Sequence, residues 1–583
     1  MCVANESAER DICELISRVK HEGLSFLTIT LPSYGADFES CLRNGRVDSL
    51  YFRGFRKYRR IPAFLRGIFS LVFDADTGEI HEEPSISAIK GIRQIAYTFK
   101  KVKLACAPKR VRKAYAGYLM DEHDLSVALA PSDIAKFGAV ADLCWKFLSE
   151  INIFDTIPKH GPGATQEKIG GNAKFRFLRW HDRLERYFPL DSNAFVNSNA
   201  LDSSEFEDLT IVPSEDEAPV RVIVVPKTLK APRIIAIEPV CMQYAQQAVS
   251  RTLVNALEKA RLTDGHVNFT DQSVNQRLAI ISSRDESMAT LDLSSASDRV
   301  PLSLVIRMLQ CAPELLGAIL ACRSREAQLP DGTRVCLRKF ASMGSALCFP
   351  IESMYFYTLC VAARLELHAL PVTSRNIYSM SRDVYVYGDD IIVPANEATV
   401  VIDYLQKYYC KVGAPKSFWT GKFRESCGVD AYSGEVVTPT YLREMPPDDK
   451  RNANALISWV KTSNLLYMSG YWSSSALLLR ECELLLGKLP IVGDKCAGLG
   501  KVSFQRGYTT ERWSIPYQCP EVRTWIASPV YRTDKLDGYP ALLKCLLSLE
   551  TRLGYESSTS DDHLNRTARH GAVTLKRRWT RPF

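Results

Sequence analysis

The sequence predicts a mixed α+β fold. Short β-branched segments such as "VRVIVV", "SMATLD" and "VYVYGDDIIV" alternate with longer stretches of helical periodicity. From residue 220 to about 445 the two kinds of segment interleave instead of forming separate runs. No internal repeat and no long low-complexity linker interrupts the pattern.

Residues 1–50 read as mixed elements. "PSDIAKFGAVADLCWKFLSEIN" at 131–152 predicts a helix, with Pro and Ser at its start. "KHGPGATQEKIGGNAKFRF" at 159–177 is a Gly-rich loop flanked by basic residues. It lacks the GxxxxGK[ST] spacing of a phosphate-binding loop and reads either as a plain flexible loop or as one that touches a template. The polar, acidic stretch 192–219 predicts surface loops. "VRVIVVPKTLKAPRIIAIEP" predicts two strands joined by a basic turn with Lys227, Lys230 and Arg233, and "VCMQYAQQAVSRTLVNALEKAR" a helix after it. "SMATLDLSSASD" is a strand running into a polar turn, and "DVYVYGDDIIV" a strand–turn–strand. "NEATVVIDYLQKYYCKVG" predicts a helix ending at Gly413, and beyond about 447 the chain reads as helical and rich in Trp and Tyr.

A chain of 583 residues can bury a large core and divide into several subdomains. Its 46% hydrophobic and 24% charged residues describe a globular protein. No uninterrupted apolar stretch reaches membrane-span length, and the first residues, polar and acidic, are unlike a signal peptide. The 17 cysteines are irregularly spaced and form no CxxC pair, which argues against a zinc knuckle or a thioredoxin-like site. Cys336, Cys348 and Cys360 are twelve apart and match no metal pattern. The expectation is reduced, mostly buried thiols in an intracellular protein.

The net charge of +8, from 74 basic and 66 acidic residues, is mild, but the cations cluster. "YFRGFRKYRR" at 51–60 sets five basic residues among aromatics; 90–113 holds nine basic residues and no acid; the chain ends in "LKRRWTRPF". One such run is an ordinary solvated surface. Three predict polyanion binding, with cations for phosphates and aromatics for bases.

Asp389 and Asp390 follow Gly388 in a turn between apolar segments. Alone they are an ordinary solvent-facing hairpin. Asp292 at the end of another apolar strand, with Asp298 after it, makes a metal site the sharper expectation. If Asp292 faces Asp389 across neighbouring strands, the carboxylates can hold two Mg²⁺ ions, which take hard oxygen ligands. Such a pair would lower the pKa of an attacking 3′-hydroxyl and bind a triphosphate. Lys227, Lys230 and Arg233 would clamp that triphosphate; alone, they are a solvent-facing basic hairpin. The nine histidines are scattered, and His160 and His266 read as core or surface residues, not bases.

Tyr387-Gly388-Asp389-Asp390 resembles the catalytic motif of viral RNA-directed RNA polymerases. "VPKTLKAPRIIAIEP", "LDLSSASD", "DGTRVCLRKFASMGSALCFPIES", "VYGDDIIVP" and "KFRESCG", in this order over about 220–444, resemble the replicase catalytic subunit of small positive-strand RNA bacteriophages (levivirus-like). The resemblance implies a right-hand polymerase fold with fingers, palm and thumb. Residues 1–284 would be mainly fingers and an N-terminal extension, 285–445 the palm with a fingers insertion at about 299–340, and 446–583 a thumb and C-terminal helical region.

It also implies site roles. Asp292 and Asp389 would be the principal metal ligands, and Asp390 an auxiliary ligand or a positioner of the primer end. Lys227, Lys230, Arg233, Asp298, Ser342 and Gly344 would bind the nucleotide. Lys416 would lie near the β-phosphate, as a general acid toward pyrophosphate or in a simple salt bridge. Tyr387, Gly388, Arg424 and Glu425 would support template or product, with Ser426, Cys427 and Gly428 completing the hairpin. Two positions depart from the usual pattern. The acid expected five residues after Asp292 falls on Ser297, with Asp298 sixth, and the place of a ribose-reading Asn is taken by Glu352. Asp298 is therefore the first choice for sensing ribose, helped by Glu352 or Ser342.

The implied reaction is primer-independent copying of a single-stranded RNA phage genome from NTPs, with Mg²⁺ replaceable by Mn²⁺. Implied partners are the host elongation factors Tu and Ts and an RNA-binding ribosomal protein, in the cytoplasm of an infected bacterium. The alternatives are a reverse transcriptase and a non-enzymatic RNA-binding or packaging protein.

Overall fold

Apolar strands and the helices packed around them set the centre of the molecule. The structure is a computed structural model that describes residues 5–200, 204–505, 507–531, 535–554 and 571–583. It is α+β, as expected. The 192–219 segment, described except for 201–203 and expected as surface loops, is mostly short turns over the edge-to-face pair Phe195 and Phe206, but Thr210–Val212 is a short strand paired in parallel with Arg179–His181.

The central sheet has three antiparallel strands: β3 (Met288–Asp292), β7 (Asp390–Pro394) and β6 (Tyr385–Tyr387), in the order β6–β7–β3. Ile391, Ile392 and Val393 are all fully buried, so both faces of β7 are covered. α9 (Cys348–Leu367) packs against β6, and α10 (Ala398–Lys407) against α9. α9 is buried on all sides from Pro350 to Leu365, with Glu352 and Arg364 among the enclosed residues, the pattern of a helix inside a core. α7 (Ser273–Asp285) packs on β3 and on the hairpin β8 (Phe423–Ser426) and β9 (Val429–Tyr432).

The basic segment forms the expected hairpin, β1 (Val220–Val225) with β2 (Arg233–Ile237), followed by α6 (Val240–Lys259). The 299–340 insertion returns to it. Its α8 (Pro313–Cys322) packs on α6, and its strands β4 (Glu326–Gln328) and β5 (Arg334–Cys336) extend the sheet to β2–β1–β4–β5. Across this sheet lies α4 (Pro108–Asp124), with Tyr118 packed against Val220, Val222 and Ala236.

Three expectations about elements are corrected. The 131–152 helix is α5 (Pro131–Cys144), which Trp145 ends by leaving helical angles to bury its ring and donate to Thr358 Oγ1 at 2.9 Å. α10 stops at Lys407, not Gly413: Tyr409 turns left-handed at φ 68°, and the chain is drawn onto the end of β3, where Val412 bridges Leu293. The region beyond 446 is not only helical. α11 (Ala453–Met468) and α12 (Trp472–Leu486) pack together, but β10 (Cys519–Pro529) and β11 (Val573–Thr580) then pair over eight residues.

The basic runs also read differently in three dimensions. α1 (Asn5–Glu22), α2 (Leu31–Asn44) and α3 (Ile86–Tyr97) surround a Phe-rich cluster that takes in Phe52 and Phe55 of the 51–60 run. These rings serve the core, not bases. The cluster continues into Phe418, Phe423 and Tyr432, so the N-terminal helices pack onto the β8–β9 hairpin. Arg93, from the 90–113 run, is buried between Glu39 (2.6 Å) and Asp430 (2.8 Å). In the Gly-rich loop, buried Lys174 donates to the carbonyls of Gly161 (2.8 Å) and Gly163, and His160 packs among Phe175, Phe177 and Tyr244. "LKRRWT" is strand β11, where a row of cations discourages further strand addition. Among the described residues the cysteines are free thiols, and no helix is long and apolar enough to cross a membrane.

Candidate active site

The register of the central sheet places the acids. Asp390 pairs with Asp292, and directly opposed residues of an antiparallel pair point to the same face. Asp389 sits one residue earlier, in the turn. Gly388 makes that turn with φ 61°, and its N–H donates to Ser353 Oγ at 3.2 Å. A Cβ there would lie 2.1 Å from the Phe349 ring, so both conformation and space demand glycine. The Tyr387 hydroxyl donates to the carbonyl of Phe269 (2.9 Å) and accepts from Gln272 (3.1 Å). Tyr387 therefore braces the turn.

Asp292 is held from three sides. Its carbonyl accepts from Gly413 N–H at 2.8 Å, its N–H donates to Ser417 Oγ at 3.1 Å, and its Oδ1 accepts from Lys416 Nζ at 2.8 Å. The drawn-in segment that ended α10 early is thus what delivers Lys416. Desolvation pulls the Lys416 ammonium down, but Glu425 and Asp292 outweigh it, and its pKa is raised. Asp389 is raised by desolvation and then by Asp292. Asp390 is pushed up to about 7 by desolvation, Asp389 and Asp292, while Cys427 N–H donates to it. Lys227 is lowered by desolvation, Arg233 and Lys416, against the pull of Asp389 and Asp292. Three carboxylates and three cations from four chain segments therefore share one field. Lys230, exposed on the same basic turn, lies in the field of Asp37 in α2, toward the N-terminal helices.

The remaining expected residues divide. Gly344 sits at φ 131° with Ala236 O only 1.9 Å from where a Cβ would be, and Ala236 N–H donates to the carbonyl of Met343 at 2.8 Å. The "SMGS" loop is thereby docked on β2. Ser342 is buried, its hydroxyl bonded to that of Tyr118 at 2.9 Å. Asp298 pairs with buried Lys339 at 2.9 Å. Glu352, buried on α9, is raised well above the usual carboxyl range by desolvation, Asp389 and Asp298, so it closes the same side of the site.

Arg424 acts inside the hairpin it was expected to build. It is fully buried and donates to the carbonyls of Met288, Gly421 and Phe423 at 2.6–2.8 Å, so it knits β8 to β3. Glu425 is half-buried, raised by desolvation and then by Asp430, and is the leading acid acting on Lys416. Sequence reading missed Lys339, Tyr118 and Ser417. A lysine, a tyrosine and a serine far apart in the chain carry no shared pattern, and only the fold makes them neighbours of Asp298 and Asp292.

Among the described residues, no three His, Cys, Asp or Glu side chains converge tightly enough to cage a metal alone. Asp292 and Asp389, with Asp390 beside them, are the oxygen donors available. That set suits Mg²⁺, which takes one or two carboxylates and fills its shell with water and substrate phosphates.

The site is thus an acid pair on antiparallel strands with a third acid in the adjoining turn, faced by cations from the basic hairpin and by Lys416. Residues 199–461 match the family RNA replicase, beta-chain. The chain is 34% identical over 270 residues to the RNA-directed RNA polymerase subunit beta of Enterobacteria phage SP, covering 46% of this chain and 43% of that one. It is 35% identical over 223 residues to the RNA-directed RNA polymerase beta chain of Escherichia phage MS2, covering 38% and 37%. The matches span less than half the length of these relatives. A solved RNA-dependent RNA polymerase of a human picorbirnavirus aligns with 76% of this chain and 85% of its own at 11% identity and a TM-score of 0.40.

Proposed function

We propose that the protein is an RNA-directed RNA polymerase that copies single-stranded RNA from NTPs with release of pyrophosphate. The observation that carries this reading is the opposition of Asp292 and Asp390 across β3 and β7, with Asp389 in the adjoining turn and Lys416 and Lys227 in the same field. The similarity of the central region to replicase beta-chains supports it.

In this reading Asp292 and Asp389 hold Mg²⁺, with Asp390 as auxiliary, and Mn²⁺ can substitute. The bound metal supplies Lewis-acid stabilisation of the attacking and leaving oxygens. Lys227 and Arg233 bind the triphosphate and keep it in line with the acids. Lys416 is held as a cation by Asp292 and Glu425, ready to meet the charge that develops on departing pyrophosphate. Ser342, Asp298 and Glu352 face the sugar. Phe349, Ser353 and Tyr387 hold the turn rigid.

Residues 1–284 act as fingers with an N-terminal extension, 285–445 as palm with the 299–340 insertion joined to the fingers sheet, and 446–583 as thumb. Initiation needs no primer. The relatives are named as beta subunits or chains, which supports a multi-subunit enzyme; host elongation factors Tu and Ts and a ribosomal RNA-binding protein are the partners to test, in the cytoplasm of an infected bacterium.

The test is incorporation of labelled NTPs on a cytidine-ended RNA, with and without Mg²⁺ and host extract, by the wild type and Asp389→Asn. Metal-dependent product lost in the variant supports the reading. Product from dNTPs alone moves it to reverse transcription. RNA binding by both proteins with no product under any condition overturns it in favour of a binding or packaging protein.

A further inference from the structure

Helix α4 touches both ends of the site just described. At its start, Cys106 Sγ donates to the carbonyl of Thr228 at 3.1 Å and Arg110 to that of Leu229 at 2.6 Å. Thr228 and Leu229 lie between Lys227 and Lys230, so this end grips the basic turn. Seventeen residues of α-helix span about 25 Å. At the far end, Tyr118 donates to or accepts from Ser342 Oγ at 2.9 Å, and Lys339 Nζ lies 3.4 Å from the centre of the Tyr118 ring. Lys339 is wholly buried and pairs with Asp298 at 2.9 Å and with Glu122 Oε1 at 3.2 Å, while the other Glu122 oxygen accepts from Arg338 N–H at 2.8 Å. Arg299, next to Asp298, pairs with Asp121 and Asp124 of the same helix, both at 2.8 Å.

A buried ammonium is tolerated only when its partners are fixed around it, and a satisfied buried network holds one arrangement. Lys339 has two carboxylates and a ring face. Asp298 Oδ1 is thereby occupied and its plane set, and the Ser342 hydroxyl is oriented by Tyr118. A ribose 2′-hydroxyl is both donor and acceptor, so a carboxylate and a hydroxyl held in fixed orientation can separate it from a deoxyribose that offers neither.

We propose that α4 is the positioning element of the nucleotide site: its first turn holds the Lys227 turn, and Tyr118, Glu122 and Lys339 hold Asp298 and Ser342 and so set the preference for ribose over deoxyribose. The proposal rests on the polymerase reading above. None of the three residues touches the nucleotide; each acts through another.

The test is single-nucleotide incorporation from NTP and from dNTP by the full chain, with host extract if the wild type requires it. Tyr118→Phe keeps the ring over Lys339 and removes only the hydroxyl; Glu122→Gln keeps the shape and removes a charge; Arg110→Ala releases the other end. The two far-end variants lower the NTP-to-dNTP ratio of kcat/KM about fivefold, the worth of one oriented hydrogen bond. Arg110→Ala raises KM for both substrates together and leaves the ratio unchanged. If one far-end variant does not fold, the other carries the test. The proposal is overturned if the wild type incorporates NTPs and the folded far-end variants keep its ratio within about twofold, or if Arg110→Ala shifts the ratio as much as they do. A folded wild type that incorporates nothing overturns the polymerase reading and this proposal with it.

Discussion

Asp390 stands directly opposite Asp292 in the β3–β7 register, while Asp292 is tied at 2.8 Å to a lysine 124 residues further along the chain. The backbone ladder, not the side chains, keeps the acids together, so removing one charge leaves the sheet in place. Asp389→Asn is expected to lower incorporation on the order of a thousandfold, with the thermal midpoint held or slightly raised because a crowded negative charge is gone. Paired activity and melting measurements check it; a large drop in midpoint would assign Asp389 to the fold.

Gly388→Ala tests the turn. The new methyl meets the Phe349 ring and the residue must keep φ at 61°. A loss of about 2–4 kcal/mol is expected in urea unfolding, with activity lost as well. Adding Phe349→Ala makes room for the methyl but leaves the backbone strain, so rescue should be partial.

Buried Arg93 joins α3 to Glu39 of α2 and Asp430 of β9. Arg93→Met strands two buried carboxylates and should cost about 3–5 kcal/mol. Limited proteolysis should then cut within residues 1–97 before the central region. Restoring neutrality with Glu39→Gln and Asp430→Asn in the same chain should recover much of the loss.

Glu238, at the end of the basic hairpin, is fully enclosed and accepts from Ser324; burial pushes its carboxyl up to about 7. The folded chain then holds a proton that the unfolded chain has lost, so this group makes stability fall as pH rises between about 4.5 and 7 and adds no slope above that. At full size the loss is roughly 3 kcal/mol. Glu238→Gln should flatten that part of the stability curve and raise the midpoint at pH 8, read by denaturant titration across the range.

Lys227→Ala removes a cation from the triphosphate side. KM for NTP is expected to rise about tenfold with kcat changed less, and the difference should shrink at high salt. An unchanged KM would place the triphosphate elsewhere.

The local pattern of this chain was legible where one segment suffices to define it. β-branched runs bounded by turn residues marked β1, β2, β3, β6 and β7, because such runs favour strands and turn residues end them. The acid-bearing turn was legible because Asp292 at the end of a second apolar strand, with the other motif blocks, gave its two acids a partner. The motif order along 220–444 carried the likeness to phage replicases.

Long-range placement was not legible. The Phe52 and Phe55 rings and Arg93 read as a surface for RNA, since the sequence of a basic run does not say which side chains face inward. Arg424 was placed in the right hairpin, but that it spends its donors on the carbonyls of Met288, Gly421 and Phe423 was not legible. The β10–β11 pair went unread because its strands are separated by more than forty residues and one is crowded with cations. The end of α10 was set by a bridge to β3 that no helix signal announces.

By itself the sequence determined the α+β class, the strands of the central sheet and the identity of its acids, because these depend on periodicity and residue type over a few neighbours. The tertiary structure alone decided that Lys416 meets Asp292, that Lys339 and Tyr118 stand behind Asp298 and Ser342, and that Arg424 and Arg93 are internal. Those outcomes depend on burial and on partners from tens to hundreds of residues away, and the cost of an unpaired buried charge, which selects them, exists only once the chain has folded.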